Sequence, residues 1–114
     1  MKNNMEHPFV YICSPFSGDI ETNTKNARRY SRFAVFNGCI PITPHLFFSQ
    51  FMNDDEPAER NVAIEMDLAL LLICSEVWVF GKKISRGMEI EIRQATDHNI
   101  KIRYFDEQCK EAKR

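Results

Sequence analysis

The sequence predicts an open α/β sandwich, a parallel β-sheet with helices on both faces. Three observations carry this. Short aromatic and β-branched runs alternate with helical stretches in the order β-α-β-α-β-α-β. The strand runs read as continuously apolar, as strands covered on both faces do. All four glycines (Gly18, Gly38, Gly81 and Gly87) fall at the predicted junctions between elements.

Phe9–Cys13 reads as a buried first strand, ended by Ser14 and Pro15. From about Glu21 to Asn37 the period is helical: Ala27, Tyr30 and Ala34 share a face, while Lys25, Arg28, Arg29 and Arg32 line another. Gly38 ends that helix in the manner of a C′ glycine. Cys39–Ile42 is a second strand, and Pro41 marks it as an edge or a strand end. Thr43–Asp55 fits no period, although Phe47, Phe48, Phe51 and Met52 exclude a plain polar loop. A long helix follows to Cys74, capped by Asp55 or Glu56 with Pro57 in its first turn. Val77–Phe80 is the third strand, closed by Gly81. The last helix begins near Ser85–Gly87, carries Met88, Ile92 and Ala95 on one face, and ends at Asn99. Ile100–Phe105 is the fourth strand, before a charged tail. The chain of 114 residues is one domain's worth, with its core over about 9–105.

Composition narrows the function classes. Fifteen basic residues against sixteen acidic ones leave a net charge of −1, which argues against a nucleic-acid polymer or a polybasic membrane surface as partner. The longest apolar run, Leu68–Cys74, is too short to cross a bilayer. Glu6, His7 and Pro8 interrupt any secretory leader at the N-terminus. The four cysteines stand far apart, with no C-x-x-C pair, so a disulfide framework or structural zinc site is not expected and a cytoplasmic setting is.

Ligands of open α/β sheets bind beyond the carboxyl ends of the strands, which places Ser14–Asp19 and Gly81–Gly87 at any site. Ser14, Ser17 and Gly18 precede one helix, and Ser85 and Gly87 open another; each start offers N–H groups to an anion or serves as a simple cap. Two such starts on one crevice favour an anion such as a phosphate or carboxylate. The first loop is neither a P-loop nor a G-x-G-x-x-G fingerprint. Asp67 falls in the sector of Ala63, Leu70, Leu71 and Cys74, so it is either functional or on a face that surfaces near the helix end. Glu89 and Glu91 flank the stripe of the last helix equally, and periodicity does not choose between them. Tyr11 is a core tyrosine or projects its hydroxyl toward the ligand end. His45 follows the second strand as a loop hydrogen-bond partner or a site residue. Trp78 is core, and the basic stripe of the first helix is a solvated face.

Taken together, Tyr11–Ser17 (YICSPFS), Asp67-Leu68, Val77–Gly81 (VWVFG) and above all Ser85–Ala95 (SRGMEIEIRQA) resemble the nucleoside 2-deoxyribosyltransferase superfamily. That group includes the 2′-deoxynucleoside 5′-phosphate N-hydrolases and many small bacterial and phage proteins, to which the likeness is nearest. It spans Phe9 to about Tyr104, and the S-x-G-x-x-x-E-[IL]-x-x-A pattern is its most specific part.

The resemblance implies a Rossmann-like (flavodoxin-like) three-layer sandwich that cleaves or transfers the N-glycosidic bond of a 2′-deoxynucleoside or its 5′-monophosphate. It makes Glu91 the nucleophile, Asp67 the proton donor at the base and Tyr11 the residue that orients the glutamate. Ser14, Ser17, Gly18, Ser85, Gly87 and Met88 would line the substrate, with His45 on the base side. Phosphate-hydrolysing relatives carry an arginine and further glycines where this chain has Phe16 and Ser17. The chemistry calls for no metal and no organic cofactor. The implied partners are a small nucleoside or nucleotide and a second copy of the chain, as a homodimer or higher homo-oligomer. The alternatives are a nucleotide-binding sensor without turnover, or an interaction protein built on the Phe47–Met52 cluster.

Overall fold

The computed structural model describes residues 6–112; the expectations for the first five residues and for the last two of the tail lie outside these. The elements are β1 (Phe9–Cys13), α1 (Ile20–Phe36), β2 (Ile40–Ile42), α2 (Pro44–Phe48), α3 (Pro57–Leu72), β3 (Glu76–Phe80), α4 (Arg86–Asp97), β4 (Lys101–Phe105) and β5 (Glu111–Ala112). They build one sheet in the order β2-β1-β3-β4-β5, parallel except for β5. The strand order reverses between β1 and β3, which opens a crevice at their carboxyl ends. The sequence expectation of an α/β sandwich is met, and the proline-bearing β2 is indeed an edge strand.

The strand period of two sorts the core. Val10 and Ile12 face one layer with Tyr30, Ala34, Trp78, Phe80 and Phe105. Tyr11 and Cys13 face the other, with Leu71, Cys74, Val77, Val79, Met88 and Ala95. Thus α1 covers one face of the sheet while α3 and α4 cover the face that Tyr11 meets. Trp78 is 2% exposed and donates its indole N–H to Glu76 Oε1 at 2.7 Å, so its core assignment stands.

Local signals explain the element ends. Asp19 caps α1 by accepting from the Thr22 amide at 3.2 Å, and Gly38, at φ +79°, ends it in the left-handed conformation. Glu56 caps α3 ahead of Pro57. Ser85 caps α4 through the Met88 amide at 3.3 Å, and Asn99, at φ +58°, closes it.

Two elements differ from the sequence reading. Part of Thr43–Asp55 forms α2, a single turn begun by Thr43 and Pro44, too short to leave a helical period in the sequence. The charged tail is not all tail: Asp106 Oδ1 accepts from the Gln108 and Lys110 amides at 2.8 and 2.9 Å, folding the chain back. Arg103 then grips Glu111 with two nitrogens at 2.8 and 2.7 Å, which registers β5 against β4. Among the described residues no helix is long and apolar enough to cross a membrane.

Candidate functional site

A cleft of about 380 Å³ lies at the carboxyl ends of β1 and β3, roofed by α2 and α3 and flanked by the start of α4. Ser14, Ser17, His45, Asp67, Ser85, Gly87, Met88 and Glu91 all line it, so the fold gathers residues that are up to 77 positions apart in sequence. Tyr11 lies beneath them, fully buried. Gly18 is in the first loop but not on the cleft wall; its φ of +92° explains its identity, since a side chain there would be strained even though nothing lies within 4 Å of an added Cβ.

The floor is made by Glu91. On α4 the inward positions are Met88, Glu91 and Ala95, so a carboxylate occupies the middle of an otherwise apolar helix face. It is 6% exposed, whereas Glu89, one face away, is exposed and off the cleft. The Tyr11 hydroxyl donates to Glu91 Oε2 at 2.7 Å, and Glu91 Oε1 has no protein partner. Burial pushes the Glu91 carboxyl up to about 7, against the opposing pull of the hydrogen bond from Tyr11. Burial, the charges of Glu91 and Asp67, and the hydrogen bond to Glu91 together hold the Tyr11 phenol well above its ordinary range, so it stays a donor.

Asp67 reaches the cleft from α3, while Glu65 points to solvent. Its Oδ1 is buried without a protein partner. Desolvation, then the charge of Glu91, then that of Asp54, raise its carboxyl to about 7. Ser14 completes the set: it is 2% exposed and its Oγ is also unpartnered. Three buried polar atoms without protein partners in one cleft mark a surface built to meet polar groups of a ligand.

His45 donates from Nε2 to the Ser14 carbonyl at 3.3 Å, because a carbonyl only accepts. Its ring stacks on Phe16 with centroids 5.0 Å apart and 21° between planes. Burial lowers its pKa and so favours the neutral imidazole. The first loop is stapled by Asn23, whose amide donates to the Phe16 and Ser17 carbonyls at 3.0 and 2.9 Å.

Several cleft residues escape a reading of the sequence. Phe16, Phe48, Met52, Asp54, Asp55 and Arg60 line the wall. The aromatic cluster thereby divides: Phe48 and Met52 turn toward the cleft, while Phe47 and Phe51 are 59% and 60% exposed. No periodic signal marks these positions, since they sit on the one-turn helix and the irregular segment after it. At the two helix starts, Asp19 places its own carboxylate on α1, whereas α4 is capped by the neutral Ser85, with Glu89 in its first turn. Lys82, Lys83, Arg28 and Arg29 are exposed and off the cleft.

The fold and cleft define a flavodoxin-like α/β protein whose cleft holds a buried carboxylate, Glu91, and a half-buried one, Asp67. The chain belongs to the family described as a domain of unknown function, DUF7768, whose model matches residues 8–105. Among solved structures it is similar to a 2-deoxyribosyltransferase from the psychrotolerant bacterium Bacillus psychrosaccharolyticus, characterised as a biocatalyst for the synthesis of nucleosides. The superposition gives a TM-score of 0.71 at 14% identity, covering 86% of this chain and 72% of that one, and so establishes a shared fold. No curated protein matches the chain in sequence.

Proposed function

We propose that the protein cleaves or transfers the N-glycosidic bond of a 2′-deoxynucleoside or its 5′-monophosphate, with Glu91 as nucleophile. The observation that carries this reading is the buried Glu91 carboxylate, held through Oε2 by Tyr11 and left with Oε1 free of protein partners. A nucleophile for a glycosidic carbon needs this arrangement: one oxygen fixed, one oxygen available, and little water around either.

Glu91 Oε1 attacks the anomeric carbon as the carbon–nitrogen bond to the base breaks, giving a glycosyl ester. The departing base nitrogen takes a proton from Asp67. Water or a second base then displaces the ester and restores Glu91, and Asp67 recovers a proton from the incoming group. Both carboxyls are raised to about 7, yet only Glu91 has a donor against it, the Tyr11 hydroxyl. Ionisation therefore settles on Glu91 and the proton on Asp67, the division that nucleophile and acid require. Ser85, Gly87 and Met88 take the sugar and its 5′ substituent at the α4 start, and the Phe16–His45 stack offers an aromatic wall for the base.

The test incubates the protein with a panel of 2′-deoxynucleosides and their 5′-monophosphates, with and without an acceptor base, and separates free base and new nucleoside by chromatography. Base release that Glu91→Gln eliminates, with a deoxyribosyl adduct on wild-type protein by mass spectrometry, supports the reading. Tight binding with no release and no adduct rejects it in favour of a sensor.

A further inference from the structure

His45 offers the cleft a polar atom of fixed sense. A carbonyl only accepts, so the 3.3 Å bond to the Ser14 carbonyl puts the ring proton on Nε2. Nδ1 is then a lone-pair acceptor in the neutral ring that burial favours. Phe16 stacks on one face of the imidazole, which is thus held from two sides. Nδ1 has no partner among the described residues and is the one polar atom that His45 has left for a ligand. Asp54 lies on the same cleft wall. The Asn53 amide donates to Glu59 Oε1 at 2.9 Å and the Asp55 amide to Asn53 Oδ1 at 3.0 Å, a turn that fixes the chain on either side of Asp54. From there its charge reaches both His45 and Asp67, so the three share one end of the cleft. A carboxylate, like the bare Nδ1, accepts and does not donate. Arg60, two turns before Asp67 on α3, is a donor on that wall; it is exposed, with Asp54 and Asp55 also on the wall.

We infer that His45 and Asp54 select a base carrying an exocyclic amine, such as adenine or cytosine, over its keto counterpart. The inference deepens the glycosidic reading and rests on it. In such a base the amine flanks a ring nitrogen that can take a proton, so acceptors beside Asp67 stand where the amine falls. The amine has two protons and satisfies both acceptors. A carbonyl in its place would set lone pairs against lone pairs and leave both acceptors without a donor.

The test uses matched pairs that exchange the amine for a carbonyl: 2′-deoxyadenosine against 2′-deoxyinosine, and 2′-deoxycytidine against 2′-deoxyuridine, each as nucleoside and as 5′-monophosphate. Binding is measured by calorimetry on wild-type and Glu91→Gln protein, and kcat/KM on the wild type. The amine member of at least one pair is expected to be favoured by about 10-fold or more in both measurements. His45→Phe keeps a ring against Phe16 but removes the acceptor. Asp54→Asn gives an exposed residue a donor in place of one acceptor oxygen. Either change should cut the ratio several-fold, and a ratio that neither changes overturns the inference. If His45→Phe does not fold, an unchanged ratio in Asp54→Asn is enough to overturn it. Equal handling of the two members also overturns it, as does failure of every amine substrate to bind at millimolar concentration. A keto preference overturns it as well and passes the selection to Arg60. Because binding needs no turnover, an amine preference in a protein that releases no base would keep the selection and reject the catalytic reading. Turnover without the preference would do the reverse.

Discussion

Tyr11, at the centre of β1, donates its hydroxyl to Glu91 Oε2 across 2.7 Å, joining residues 80 positions apart in a water-poor pocket. A hydrogen bond to a charged group contributes about 1.5–3 kcal/mol, and Tyr11→Phe removes it without changing the packing of the ring. We expect Tyr11→Phe to lower kcat about 10- to 100-fold and to shift the acid limb of the pH–rate profile upward. A variant with wild-type kcat and an unmoved limb would show that Tyr11 is only core.

Of the two glutamates on α4, only Glu91 lines the cleft. Glu91→Ala should eliminate turnover with the fold retained by circular dichroism, whereas Glu89→Ala should keep most of the activity. Equal losses from the two changes would reject the assignment.

The proposed reaction needs Glu91 ionised and Asp67 protonated in the same turnover, and each carboxyl is raised to about 7. Activity should therefore fall on the acid side as Glu91 gains a proton and on the alkaline side as Asp67 loses one. The expected kcat/KM profile is a narrow bell centred near neutrality, and Asp67→Asn should flatten its alkaline limb while lowering its height. A rate that rises steadily to pH 9 would contradict the roles given to the pair.

The same raised carboxyls govern stability. Their ordinary values are 3.8 for Asp67 and 4.5 for Glu91, so between about pH 4 and 7 the folded protein binds more protons than the unfolded chain. Stability must then decline as pH rises through that window and level off above it. Glu91→Gln and Asp67→Asn remove the cost of burying charge, so each should raise Tm at pH 8, by on the order of 1–3 kcal/mol of stability, and change it little at pH 5. Scanning calorimetry that finds the same Tm change at both pH values would refute this.

Phe47 and Phe51 meet edge to face with centroids 5.1 Å apart while remaining mostly exposed, beside the edge strand β2. Such apolar surface on a small chain fits self-association, and a homodimer is the simplest form. Sedimentation should show a dimer at micromolar concentration, with Phe47→Ser/Phe51→Ser shifting it to monomer. A monomeric wild-type protein would exclude this face as a self-association surface.

The sequence by itself determined the alternating α/β order, the helix starts at Asp55 or Glu56 and near Ser85–Gly87, the helix ends at Gly38 and Asn99, and the place of Pro41 at an edge or a strand end. These are local properties, set by backbone sterics and by short-range hydrogen bonds within a few residues. The motif resemblance also singled out Glu91 over Glu89, which periodicity could not do, because both flank the apolar stripe of α4. Only the tertiary structure decided that Glu91 lies at 6% exposure with Tyr11 against it, and that Asp67 loses part of its hydration while Glu65 keeps it. It also decided that Phe48 and Met52 turn into the cleft and that Glu111 returns as a fifth strand. The physical reason is that burial and electrostatic coupling belong to the packing of distant segments. A carboxylate's cost, partner and proton are set by what the fold brings over it, and neighbouring residues in the chain carry no record of that.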